Sequence, residues 1–308
     1  MTEDLKMAAT DLIGIDWGTS RIRAHRIGDD GRLLESREQD LGLDAVQKDK
    51  FDAVLRSLVS GWSGKLPVLM CGMIGSRNGW NEAPYCRCPI SIGDLSQSVI
   101  SVDSACGDVW IIGGAHTVDA QDHHDVMRGE ETLMFGLARL EGGKLVVAPG
   151  THSKWALMED ATIKHFRTYM TGELYALLKQ HSTLGWLMRE TQRVDSDQAA
   201  FMEGVQDAIA DPEILHGLFN VRTSALFRPE KSRTLSSYLS GLLIGAEVSG
   251  AAKSQSSEAA FVIAAPRLAE LYCLALSAVG FRDVQVVDAN VAAARGLWRV
   301  WQTRNGAA

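Results

Sequence analysis

Three short stretches of this chain combine glycine, hydroxyl, carboxylate and cationic side chains at turn spacing. Asp16-Trp17-Gly18-Thr19-Ser20 follows the apolar run that starts at Leu12. A glycine lets backbone approach a phosphate, and the amides and hydroxyls after it donate to the phosphate oxygens. Asp16, at the end of a predicted strand, suits a hydrated Mg²⁺ ion. Pro149-Gly150-Thr151-His152-Ser153-Lys154 repeats the pattern. Taken singly, either stretch reads as an ordinary hairpin turn with solvated polar residues. Taken together, they read as two loops able to hold a triphosphate from both sides. Neither is a Walker motif, and no dinucleotide-binding glycine fingerprint is present.

The third stretch is Arg128-Gly129-Glu130-Glu131-Thr132, at the start of a predicted helix. Acids in a first helical turn are favoured by the macrodipole. They also suit a second role, accepting the proton of an alcohol that attacks phosphorus. Glu130 and Glu131 are therefore both candidate bases, with Asp125 next. A long loop, Cys71 to Tyr85, follows a predicted buried strand and carries Gly72, Gly75 and Gly79 with Arg77, Trp80 and Glu82. Loops after such strands often form sites, and Arg77 can grip a carboxylate with two hydrogen bonds. The competing reading is a surface loop whose Trp80 and Tyr85 only pack down. His116, His123 and His124 lie among Asp119, Asp122 and Asp125, which reads as a solvated acidic loop rather than a metal centre.

The elements that must position these residues follow from periodicity. Leu12–Asp16, Arg21–Ile27 and Arg32–Leu41 read as strands, the last two joined by the turn signal Gly28-Asp29-Asp30-Gly31. Lys50–Trp62 has a helical period, and Leu66–Met70 and Val109–Ile112 read as buried strands. Gly129–Leu140 reads as a helix ended by Gly142-Gly143. Lys144–Ala148, Lys154–Met158 and Ala161–Phe166 follow as strands. Leu174–Leu178, Ala199–Ala210, Ile214–Phe219 and Leu235–Ala252 read as helices. A strand at Phe261–Ala265, a helix at Leu268–Val279, a strand at Val284–Val287 and a helix from Ala289 to about Trp301 close the chain. The two halves echo each other as strand, Gly-Thr turn, strand.

Composition bounds the function. The chain has 308 residues, 46% apolar and 22% charged, with a net charge of −7. That profile fits a soluble protein of two ordinary domains. Its weak acidity argues against nucleic acid or an anionic membrane surface as partner. No apolar run reaches membrane-span length, and Met1–Thr10 lacks the basic start and apolar core of a signal peptide. Five cysteines without a disulfide rhythm point to free thiols, and Cys86-x-Cys88 has no second pair to complete a zinc set. A cytoplasmic location is expected.

The loop pair and the intervening helix resemble the sugar-kinase, heat-shock and actin ATPase superfamily. Ile13–Ser20 is similar to its first phosphate motif and Ala148–Trp155 to its second. Within it, Gly72–Trp80, Asp125–Thr132, Thr171–Leu174 and Tyr238–Gly245 resemble the 2-dehydro-3-deoxygalactonokinases. The resemblance implies a two-domain actin-like ATPase fold, ribonuclease H-like and α/β, with mixed five-stranded sheets and an active site in the interdomain cleft. Domains are expected at 1–117 and 118–308. It implies ATP and Mg²⁺ as cofactors and phosphorylation of 2-dehydro-3-deoxy-D-galactonate to its 6-phosphate. Gly18, Thr19, Ser20, Gly150, Thr151 and His152 would bind the ATP phosphates. Arg77, Trp80 and Glu82 would bind the sugar acid, Asp16 would hold Mg²⁺ through water, and Glu130 or Glu131 would be the base. Glu130 matches an Asp in the glycerol-type kinases and is one methylene longer. The adenosine motif usually ends in a small pair after a late strand; here it reads Ala264-Ala265-Pro266-Arg267, and Pro266 lacks an N–H. A kinase of a related sugar acid and a non-catalytic ATP-binding regulatory module are the alternatives. The oligomeric state is left open, a homodimer included.

Overall fold

The computed structural model describes residues 11–62, 66–137, 144–189, 197–253 and 259–306. The chain divides into two compact units. One comprises Met1–Gly143, Ala156–Phe166 and Val287–Ala308, the other Lys144–Trp155 and Arg167–Val286.

In the first unit, β1 (Leu12–Trp17), β2 (Ile22–Ile27) and β3 (Leu33–Gln39) form an antiparallel meander. The Trp17–Ile22 pairing leaves Gly18 to Arg21 as the turn, closed by the Gly18 N–H donating to the Arg21 carbonyl at 2.9 Å. Next come α1 (Phe51–Leu58), β4 (Val68–Gly72), β5 (Tyr85–Arg87), β6 (Ile90–Ser91) and α2 (Ile92–Gln97). Then follow β7 (Ile100–Val102), β8 (Val109–Ile111), β9 (Gly114–Val118), β10 (His124–Met127) and α3 (Glu130–Phe135). The main sheet runs β3-β2-β1-β4-β8-β7, with β1, β4 and β8 parallel and the rest antiparallel. Every residue of β4 is buried, as expected for a central strand covered on both faces. Phe51, Leu55 and Leu58 put the α1 stripe onto Ile15, Trp17 and Met70 of the sheet.

The second unit holds β11 (Lys144–Ala148), β12 (Ser153–Glu159), β13 (Thr162–Tyr169), α4 (Thr171–His181), α5 (Thr183–Arg189) and α6 (Gln198–Ala210). It continues with α7 (Ile214–Phe227), α8 (Leu235–Ala252), β14 (Ala259–Ala264), α9 (Pro266–Ala278) and β15 (Asp283–Asp288). The tip of the β12–β13 hairpin groups with the first unit, and so does the last helix, α10 (Ala289–Arg304). Within the second unit α6 and α8 cross at backbone contact. A Cβ on Gly241 would lie 1.9 Å from the Phe201 carbonyl oxygen, and one on Gly204 2.2 Å from that of Tyr238.

The expectation of five-stranded sheets is corrected. The sheets have six, three and six strands, in the orders β3-β2-β1-β4-β8-β7, β10-β9-β5 and β15-β14-β11-β12-β13-β6. The extra edge strands, β7 and β6, are three and two residues long. Runs that short carry no measurable alternation. α2 was also missed, although Ser91 and Asp94 cap it reciprocally. The predicted end of the α3 helix, beyond residue 137, lies outside the described residues. No helix among the described residues is long and apolar enough to cross a membrane.

Candidate active site

The first unit gathers three of the sequence motifs in one place. Asp16 is the one partly exposed residue of β1, next to the fully buried Trp17, and pairs in register with Cys71 of β4. Its carboxylate accepts from Arg23 Nη1 at 3.2 Å. Burial pushes its pKa up, and the Arg23 guanidinium opposes that shift. Gly72 follows Cys71 with φ 93°, and Gly129 precedes α3 with φ 112°. A Cβ on Gly72 would lie 2.6 Å from the Trp17 carbonyl oxygen and 3.3 Å from Asp16 Oδ1. One on Gly129 would lie 3.0 Å from the Gly72 Cα and 3.9 Å from Asp16 Oδ1. Both the backbone conformation and the close approach therefore demand glycine. The turn that starts α3 is thereby laid against the ends of β1 and β4, beside the Asp16 carboxylate.

Glu130 and Glu131 leave this turn in different states. Glu131 is fully buried. Both of its carboxyl oxygens meet the Gly129 N–H, at 2.9 and 2.8 Å, and Thr132 Oγ1 donates to it at 3.0 Å. Burial, with the charge of Glu130 second, pushes its pKa up to about 8. Glu130 is half-buried, and its Oε2 accepts from the Arg128 N–H at 3.1 Å. Asp125 lies on β10, where its carboxylate accepts from the Val126 N–H at 2.8 Å.

The glycine-rich loop after β4 is tied by its own backbone. Ser76 donates to Met73, Gly79 to Ser76, Trp80 to Ile74 and Ala83 to Gly75, each at 2.9 Å. Trp80 stacks on Phe51 with ring centroids 6.3 Å apart, and Phe51 meets Trp17 edge-on at 5.3 Å. The Gly18–Arg21 turn and this loop thus rest on one aromatic row. Arg77 and Glu82 are exposed, and Arg77 has no ion pair among the described residues. His116 and His124 stack with Nε2 and Nδ1 2.7 Å apart, while His123 pairs with Asp119.

In the second unit the β11–β12 turn carries Gly150, Thr151 and His152, all exposed. The start of α4 closes on it. The Glu173 N–H donates to the Thr151 carbonyl at 2.9 Å, and a Cβ on Gly172 would lie 2.3 Å from the Gly150 carbonyl oxygen. His152 Nε2 and Glu173 Oε2 are 2.5 Å apart. So the Thr171–Leu174 motif serves as the support of the second loop. Beside it lies a cavity of about 880 Å³, lined by Gly150, Gly172, Ser236, Ser240, Ala265 and Tyr272 among others. Its size fits a nucleoside-scale ligand. Pro266 occupies the first turn of α9. A proline there gives up an N–H that no helical carbonyl would have accepted, so the expected loss of a donor is harmless to the fold.

Three site-supporting residues were given no role of their own from sequence. Arg23 pairs with Asp16. Arg128 is buried against the loop neck. Glu247, in the middle of α8, accepts from Ser153 Oγ (2.6 Å), Trp155 Nε1 (2.7 Å) and Tyr272 Oη (2.7 Å). Glu247 had a readable signal, since it is the one charge within Leu235–Ala252, and a lone acid in an apolar helix needs buried partners.

Known proteins resemble this chain along most of its length. Residues 16–300 match the family model for 2-keto-3-deoxy-galactonokinase. The 2-dehydro-3-deoxygalactonokinase of Escherichia coli (strain K12) is 37% identical over 287 residues, covering 92% of this chain and 95% of that one. A Rhizobium meliloti (strain 1021) protein assigned the same activity is 35% identical over 289 residues, 92% and 94% of the two chains. The crystal structure of a Sinorhizobium meliloti protein, also assigned as a 2-dehydro-3-deoxygalactonokinase, superposes with a TM-score of 0.87 at 33% identity, over 94% and 96%. The fold alone is shared with the activator of 2-hydroxyisocaproyl-CoA dehydratase from Clostridium difficile, with a TM-score of 0.53 at 10% identity over 96% of both chains. The motifs, their placement and the breadth of these matches agree: the chain belongs to the 2-keto-3-deoxy-galactonokinase family.

Proposed function

We propose that this chain transfers the γ-phosphoryl group of ATP to the 6-hydroxyl of 2-dehydro-3-deoxy-D-galactonate, releasing ADP and the 6-phosphate, on an actin-like, ribonuclease H-like ATPase fold in the cytoplasm. The observation that carries the reading is the joint placement of Asp16 and Glu130 around Gly72 and Gly129. It supplies a carboxylate for a cation and a second carboxylate for a proton within one small region.

Glu130 is the base in this reading. It holds the sugar hydroxyl in line and accepts its proton as the new bond to phosphorus forms. Glu131 is unsuited to that task. A carboxyl whose pKa is raised to about 8 is mostly protonated at neutral pH, and its oxygens are turned onto the Gly129 N–H. Arg77, exposed in the glycine-rich loop, grips the substrate carboxylate, with Trp80 and Glu82 beside it. Gly18, Thr19 and Ser20 donate to phosphate from one loop, and Gly150, Thr151 and His152 from the other. The cavity next to Gly150 takes the nucleoside. Asp16, whose Oδ1 lies 3.3 Å from where a Cβ on Gly72 would stand, would hold a hydrated Mg²⁺, an ion that neutralises charge on the β- and γ-phosphates.

The test is ADP release from ATP with a panel of sugar acids that includes the C4 epimer, 2-dehydro-3-deoxy-D-gluconate, and simple aldonates. Turnover is expected to be fastest with the galactonate derivative. Faster turnover of another sugar acid would reassign the substrate. ATP binding without turnover of any of them would identify a non-catalytic module.

A further inference from the structure

Arg128 is only 6% exposed, yet it is a permanent cation. Its guanidinium lies over the Tyr85 ring, 4.1 Å from the centroid. Nη2 donates to the Ala83 carbonyl at 2.9 Å. Nη1 is buried without a hydrogen-bond partner, and a Cβ at Gly75 would come within 3.0 Å of it. Gly75 and Ala83 are the two residues whose hydrogen bond closes the glycine-rich loop. The guanidinium therefore fills the neck of that loop from below. The backbone of the same residue does something else: its N–H donates to Glu130 Oε2 at 3.1 Å. One residue thus touches both the neck of the loop that displays Arg77 and the carboxylate of Glu130.

A buried guanidinium with an unpaired nitrogen is costly, and an apolar side chain would pack the same space more cheaply. A planar fork that stacks and donates at once is geometry that Lys cannot reproduce. We propose that Arg128 is a positioning residue for phosphoryl transfer, clamping the Gly75–Ala83 neck to the turn that carries Glu130 and so fixing where the sugar acid sits relative to its base. This rests on the roles given above to Glu130 and the loop.

Arg128→Lys tests it through kinetics and amide hydrogen exchange. At saturating ATP, kcat is expected to fall by about 10²-fold, the size of a misplacement near 1 Å. KM for the sugar acid rises while KM for ATP stays unchanged. The amides of Gly79, Trp80 and Ala83 exchange faster, and those of β11 and β14 do not. Unchanged kcat, equal rises in both KM values, or unchanged exchange in the loop would each overturn the proposal. A merely structural arginine would lower the melting temperature without splitting the two KM values. If Arg128→Lys does not fold, Tyr85→Leu decides. Tyr85 is 44% exposed, and its replacement removes both the stacked ring and the hydroxyl that accepts from Arg128 Nε at 3.4 Å while keeping the arginine itself. The same split supports the clamp, and its absence overturns it. Should the unaltered chain turn over no sugar acid, the functional reading fails, and the exchange readout still decides whether the clamp exists.

Discussion

Glu130 and Glu131 are neighbours in the chain and opposites in environment. Successive helix positions point about 100° apart, so one can meet solvent while the other is enclosed. Glu130→Gln is expected to lower turnover by about 10²-fold or more with near-normal melting and sugar binding. Glu131→Gln is expected to stay active, because a neutral amide resembles the protonated carboxyl it replaces. Steady-state rates and thermal melts on both variants check this; loss of activity in Glu131→Gln alone would move the base by one residue. The raised pKa of Glu131 also makes a pH prediction. Between the usual carboxyl value of 4.5 and about 8, the folded state holds a proton that the unfolded state has lost. Its stabilising contribution is full below the unfolded pKa and is lost as pH rises, at up to about 1.4 kcal/mol per pH unit. Glu131→Gln should flatten that fall in denaturant titrations from pH 5 to 8. An unchanged slope would mean Glu131 titrates normally. Asp16→Ala is expected to cut turnover by about 100-fold or more, the scale of losing a main electrostatic element. Unchanged turnover at saturating Mg²⁺ would remove Asp16 from the mechanism.

At the scale of elements, helix crossings and strand ends decide what a residue can do. α8 illustrates this with two glycines. Gly241 sits at the α6 crossing, where a Cβ would be 1.9 Å from a carbonyl oxygen, whereas nothing lies within 4 Å of the Cβ position at Gly250. Helix propensity alone favours alanine at both by about 1 kcal/mol. Gly250→Ala should therefore stabilise by about 0.5–1 kcal/mol, while Gly241→Ala should lose about 1–3 kcal/mol to overpacking. Urea midpoints of the two variants test the crossing; equal effects would deny it. Most elements were legible because their patterns are long. β1, β2, β3 and β4 fall within two residues of expectation at each end, and α10 starts where expected and ends three residues later. The missed ones, α2, α5 and the short strands β5 to β7 with β9 and β10, are brief, and two of them, β5 and β6, pair with partners distant in sequence, β9 and β13.

Across the whole molecule, the candidate sugar-acid groups and the candidate nucleoside cavity belong to different compact units. The two substrates should therefore respond to different changes. Arg77→Lys is expected to raise KM for the sugar acid and leave that for ATP nearly unchanged, since a lysine cannot make the bidentate clamp. Ala265→Trp, which narrows the cavity at an exposed position, is expected to do the reverse. Substrate-dependence kinetics on the pair settle the point; parallel rises in both KM values would mean that either change disturbs the chain globally. The sequence by itself determined the strand–turn–strand loops, the acids before α3 and the resemblance that names the family. Those are local signals, carried by residues within a few positions of one another. Only the tertiary structure decided that Gly72 and Gly129 meet beside Asp16, that Glu131 is enclosed while Glu130 is not, and that Val287–Ala308 joins the first unit. Each depends on backbone segments far apart in the chain coming within van der Waals contact, and periodicity along one segment carries no record of what another segment will press against it.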